Sequence, residues 1–220
     1  MPIELASRAL VCGFLLLGFA GAARANYYDS PRELQVTGPY TQGPSGMVFP
    51  EAVAGFQRTA IVSYNSERTD ESVDYLLETP DKKIVVSVYV YPAPADIGAE
   101  LAKALPKDDL IGALYMLSEQ LFSDEEQAIV ELHSGAVVLD EGETSLDQRG
   151  TPYPGYAASF RYREDFFGEV LPVRSQLYLF PMVGGKWMVK YRITHPAAID
   201  GAAETEAFIH RLPWTIRGMK

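Results

Sequence analysis

Three histidines, His133, His195 and His210, are the side chains of this sequence best suited to moving protons near neutral pH. None stands at a metal-ligand spacing such as His-x-x-x-His, and each has a structural explanation. His133 ends a helical pattern, where an imidazolium meets the negative end of the helix dipole. His195 closes a strand pattern before a proline, and His210 lies on the last helical segment. Serine nucleophiles lack the Gly-x-Ser-x-Gly turn that exposes such a hydroxyl, and Ser63, Ser87, Ser159 and Ser175 all fall inside strand patterns. Asp140, Glu141, Glu143 and Asp147 lack the alternating ligands and terminal Glu of a calcium hand. Asp124, Glu125 and Glu126 read as acids at a helix N-terminus. These residue types assign no catalytic residue, metal ligand or cofactor, and they favour a binding protein over an enzyme. A hydrolase would need Ser, His and an acid to converge in space, since triads are defined by geometry rather than chain order.

The remaining candidate is a cationic stripe within "YLFPMVGGKWMVKYRITHP", Tyr178 to Pro196. Gly184-Gly185 joins two strand-like runs, and glycine tolerates the positive φ of a two-residue hairpin turn. That loop sets Val183 opposite Lys186, Phe180 opposite Val189 and Tyr178 opposite Tyr191. One face then gathers Tyr178, Phe180, Met182, Trp187, Val189, Tyr191 and Ile193, which is a core face. The other carries Leu177, Leu179, Lys186, Met188, Lys190 and Arg192. Long cationic stems lie readily over aliphatic neighbours with their heads in water, so a solvated or half-covered face accounts for this one. The sharper reading makes Lys186, Lys190 and Arg192 a groove for an anion or an acidic partner. Pro181 within the first strand implies an edge or a bulge.

The elements that must position these residues begin after a leader. Ala9 to Ala23 is an apolar and small run too short for a comfortable membrane span, and Ala23-Arg24-Ala25 supplies a small-x-small cleavage pattern. Residues 1–25 are therefore expected to be a signal peptide cleaved between Ala25 and Asn26, giving a periplasmic or secreted protein. An uncleaved N-terminal tether is the alternative. The single cysteine, Cys12, falls in that leader, so disulfides and thiolate chemistry drop out together. With 19 basic and 29 acidic residues the chain carries a net charge of −10, which repels phosphate backbones and argues against nucleic-acid partners.

Asn26 to Met47 is rich in Gly and Pro and reads as a flexible arm; residues 48–220 read as one α+β domain. Phe56 to Tyr64 is strand-like, with Phe56, Ala60 and Val62 on one side. "KIVVSVYVYP" is β-branched and aromatic on both faces, which suits a central strand. Three helical segments follow: one capped by Asp96, one starting at Asp108 or Asp109, and one opened by a Ser123/Glu126 capping box. Strands return after Gly135 and a last helix closes the chain, with Ala207, Phe208 and Leu212 on its inner side.

This order, together with "VVSVYVYP", "AVVLDEGET", "LYLF" and "AFIHRLPW", resembles the Mog1/PsbP-like α-β-α sandwich. The "FP…GF.R…Y" opening is similar to that of small secreted bacterial proteins. The resemblance implies a single twisted antiparallel sheet with helices packed on its faces. It also implies a binding or assembly factor with a protein or small-ligand partner, and brings no catalytic residues with it.

Overall fold

The structure, a computed structural model, describes residues 27–93, 107–183 and 186–219. Its principal feature is a nine-stranded antiparallel sheet. The strands are β1 (Tyr27–Glu33), β4 (Ala52–Val53), β5 (Phe56–Asn65), β6 (Glu71–Glu78), β7 (Lys83–Pro92), β8 (Val137–Gln148), β9 (Thr151–Phe166), β10 (Glu169–Val183) and β11 (Trp187–Pro196). They run in the order β1-β5-β6-β7-β11-β10-β9-β8, with β4 folded back on β5. β2 (Tyr40–Thr41) and β3 (Val48–Phe49) form a separate small ladder. Two meanders, β5-β6-β7 and β8-β9-β10-β11, are thus joined side by side along β7 and β11.

This corrects the expected α-β-α sandwich. The described chain is mostly strand, with two helices, α1 (Lys107–Leu132) and α2 (Ala202–Arg211), set against a far larger sheet. The strands outgrow the expectation: the acidic run Asp140–Glu143 lies inside β8, which continues to Gln148 as an exposed edge strand. Charged side chains suit an edge because they discourage pairing with another chain. The expected break at Ser123 is also absent: α1 passes through it. Side-chain bonds one turn apart, Gln120 to Asp124 at 2.8 Å and Gln127 to Glu131 at 2.7 Å, favour continuity. The leader with its Ala25–Asn26 junction, the Asp96 helix and the Gly184-Gly185 turn lie outside the described residues.

The segment expected to be a flexible arm is seated in the fold. β1 pairs with β5, Tyr40 is buried, and Gln42, Ser45 and Met47 are fully enclosed. Polar anchors explain how a Gly/Pro-rich stretch holds still. The Gln42 amide donates to the carbonyls of Val90 and Thr69, and the Tyr40 hydroxyl donates to Glu71.

One face of the sheet buries Phe56, Tyr75, Ile84, Val86, Val88, Trp187, Val189 and Tyr191 beneath Phe208 and Ile209 of α2 and Trp214 of the C-terminal tail. The opposite face buries Phe160, Val173, Leu177, Leu179 and Met188 beneath Phe122 and Ile129 of α1. β7, paired on both sides by β6 and β11, with one face buried and the other half-buried, is the central strand its composition predicts. In β5 a bulge between Arg58 and Ala60 switches the alternation. Ile61 and Ser63, rather than Ala60 and Val62, therefore share the buried side with Phe56. On α2 the inner residues are Thr205, Phe208 and Ile209, so Ala207 is displaced from the stripe expected of it.

Candidate functional site

The register of β10 and β11 sets the cationic stripe. Tyr178 pairs with Tyr191 and Phe180 with Val189, as a two-residue loop requires, but the ladder then shifts at Pro181 and Val183 meets Trp187 rather than Lys186. Proline has no N–H to give the ladder, which is why the shift falls there. Lys186 is consequently detached from the other two cations. It is exposed at the hairpin end, with its ammonium 5.1 Å from the ring centre of Trp187.

Lys190 and Arg192 lie on the sheet face that α1 covers. Lys190 is 4 % exposed. Its ammonium pairs with Glu125 of α1 at 2.8 Å and stands 4.7 Å from the Tyr89 ring centre and 5.6 Å from that of Tyr91. The Tyr91 hydroxyl donates to the same Glu125 oxygen. Arg192 Nη2 donates to Tyr162 at 3.2 Å and to Ser175 at 3.1 Å. Lys190 fixes α1 to the sheet and Arg192 ties β11 to Tyr162 of β9 and Ser175 of β10; the open cationic groove expected of them is not formed by Lys190 and Arg192.

His133, at the end of α1, stacks on Tyr162 with ring centres 3.9 Å apart. Burial, with the Arg192 guanidinium adding to it, holds its imidazole down at about 4, so the ring is neutral at pH 7. Its Nδ1 is 3.8 Å from Glu164, beyond hydrogen-bond reach. Burial raises the Glu164 carboxyl above the ordinary range, and Arg192 opposes that shift. Ser175, the nearby hydroxyl, receives bonds from Arg192 and Thr194 rather than from an imidazole. His195 is buried under Gly201, the residue that caps α2, and its Nδ1 lies 2.9 Å from the Pro196 carbonyl. Neither histidine stands in the base–nucleophile geometry of a hydrolase.

A different place has unspent polar atoms. Between α2 and strands β8 and β10 runs a groove of about 310 Å³, lined by Thr144, Ser145, Gln176, Tyr178, Thr205 and His210 over a floor of Phe180 and Ile209. Thr205 is 2 % exposed, yet its hydroxyl has no hydrogen-bond partner among the described residues. The buried Gln176 Oε1 is likewise unpartnered. Burying such groups unpaired costs about 1–3 kcal/mol each, which a ligand bearing hydroxyl or amide groups would recover. Tyr178 is held above the ordinary phenol range by burial and by the nearby Glu206. The sequence did carry a signal for this groove: Thr205 is polar within the apolar stripe of α2, and Gln176 alternates with Tyr178 on the face read as core. The groove appears only when β8 is placed beside β9.

Among the described residues no cluster of three or more potential metal ligands is found, and no helix is long and apolar enough to cross a membrane. No protein-family model matches the chain, and a search of curated proteins finds no match, so the likeness to the Mog1/PsbP-like family stands on sequence pattern alone.

Proposed function

We propose that the chain is an exported, non-enzymatic envelope protein, an accessory factor that binds a small polar ligand in the groove between α2 and strands β8 and β10. The observation that carries the reading is that Thr205 and Gln176, each with a buried polar atom that has no partner among the described residues, line one concave site. A hydroxyl-bearing ligand suits both, because a hydroxyl donates and accepts and so satisfies the amide whichever way it is turned. Export is supported by the apolar run Ala9 to Ala23 and the Ala23-Arg24-Ala25 junction.

The test is thermal unfolding of the purified protein against a panel of neutral probes: glucose, N-acetylglucosamine, glycerol and glycinamide. At least one should raise Tm in a concentration-dependent way, and Thr205→Val should abolish that rise while remaining folded. No shift with any probe, or an undiminished shift in Thr205→Val, overturns the groove. N-terminal sequencing of envelope-fraction protein tests export. A start at Asn26 is expected; an intact Met1 start favours the tether.

A further inference from the structure

We infer that Arg161 and Arg174 form an oxyanion site for a soluble phosphate-bearing ligand. The two residues are directly opposite each other across β9 and β10. Both are exposed, on the sheet face that carries α2. Cross-strand partners hold their Cβ atoms about 5 Å apart, and like charges so placed repel. Neither guanidinium makes a hydrogen bond or ion pair with another described residue. An acidic chain of net charge −10 has ample carboxylates with which to neutralise a surface arginine pair, but this pair is left without one.

The row in which the arginines lie reads Val137, Arg161, Arg174, His195 across β8, β9, β10 and β11. Val137 is uncharged, and His195 is buried with Nδ1 engaged by the Pro196 carbonyl. Asp140, the nearest acid along β8 on that face, pairs in register with Ser159 and makes no ion pair with Arg161. Arg163 stands two residues along β9 on the same face and adds a third positive charge, with one of its donors on the Val170 carbonyl. Two planar guanidinium forks side by side match the charge and the several acceptor oxygens of a phosphate dianion better than a single carboxylate. Gln176, the next residue on this face of β10, opens into the groove. Only the choice of a soluble ligand over a lipid surface rests on the groove reading.

The test is calorimetric titration of inorganic phosphate, at low ionic strength, into the full protein and into Arg161→Gln, Arg174→Gln and the remote Arg149→Gln. Saturable binding is expected, weakened at least tenfold by either of the first two substitutions and unchanged by the third, with acetate at least tenfold weaker than phosphate. Relief of repulsion should also raise Tm in both pair variants, which separates lost binding from lost folding. Absence of saturable binding, or equal affinity in Arg174→Gln, overturns the site. Sedimentation with phosphatidylglycerol vesicles but no affinity for free phosphate overturns the soluble ligand. A neutral probe that still binds Arg174→Gln while phosphate binds no variant removes the arginine pair and leaves the groove standing.

Discussion

Lys190 and Glu125 should respond asymmetrically to loss of their partner. The Lys190 side chain is 5 % exposed and that of Glu125 27 %. Replacing Glu125 with Leu takes away the carboxylate that faces the Lys190 ammonium under α1, beside the rings of Tyr89 and Tyr91. Removing one partner of a buried pair in this way costs about 3–5 kcal/mol. Replacing Lys190 with Met keeps most of the stem volume and leaves Glu125 in reach of water and of the Tyr91 hydroxyl. That change loses a charge-assisted bond of about 1.5–3 kcal/mol and ring contacts of about 1 kcal/mol each. It also removes the desolvation penalty of the ammonium, itself several kcal/mol, so a net loss of about 1 kcal/mol is expected. The double variant should fall near Lys190→Met alone, because no buried charge is left without a partner. Urea unfolding of the three variants, with slopes checked for constancy, measures all of this. A Lys190→Met loss as large as that of Glu125→Leu, or a double variant equal to the sum of the two, would refute the assignment of Lys190 to helix docking.

Three further outcomes follow from the packing. His133 is held near 4 in the fold and takes a proton near 6.5 once unfolded, so stability should decline as pH falls from 6.5 to 4 and level off below. His133→Phe should flatten that decline in Tm measured across the interval, and an unchanged slope contradicts the account. Asp74 is pushed up to about 6, chiefly by burial, against a Ser87 hydrogen bond that lowers it, with Glu33 adding to the rise. Its stabilising contribution is complete below its ordinary value near 3.8 and is lost as pH rises through 6, so Asp74→Asn should raise Tm at pH 7 and leave it little changed at pH 3. At Gly155 an added Cβ would sit 2.5 Å from the Leu179 carbonyl and 2.6 Å from Phe180, and backbone cannot yield as a side-chain tip does. Gly155→Ala should destabilise by about 1–3 kcal/mol in urea unfolding, and a neutral result would show that β9 can move away from β10.

Local pattern carried the strands well where alternation was undisturbed. β7 reads as a central strand because every position from Ile84 to Pro92 is apolar, aromatic or small, and the Tyr178–Tyr191 and Phe180–Val189 pairs follow from counting outward from a glycine turn. Bulges defeated the same counting. One extra residue near Thr59 moved Ala60 and Val62 off the buried side, and the shift around Pro181 set Val183 opposite Trp187 instead of Lys186. The site was misread for a different reason. Alternation places Lys190 and Arg192 on one face of β11, but what covers that face is decided by α1, whose Glu125 is distant in sequence. The unpaired Arg161 and Arg174 were invisible for the same reason, since their register passes through the Phe166–Glu169 turn and neither residue announces its lack of a counter-charge.

The seam between β7 and β11 has a kinetic meaning. Each meander closes through short turns between neighbours in sequence, so its ladders form from local contacts. The seam joins segments separated by α1 and the whole of β8, β9 and β10, and closing so long a loop is entropically slow. Folding should therefore proceed as two local units whose zipping along Val85–Pro92 and Trp187–Thr194 completes the native state. β11 is largely buried and β7 buries one whole face, so opening the seam exposes much of both cores at once, and its amides should exchange with solvent only through global unfolding.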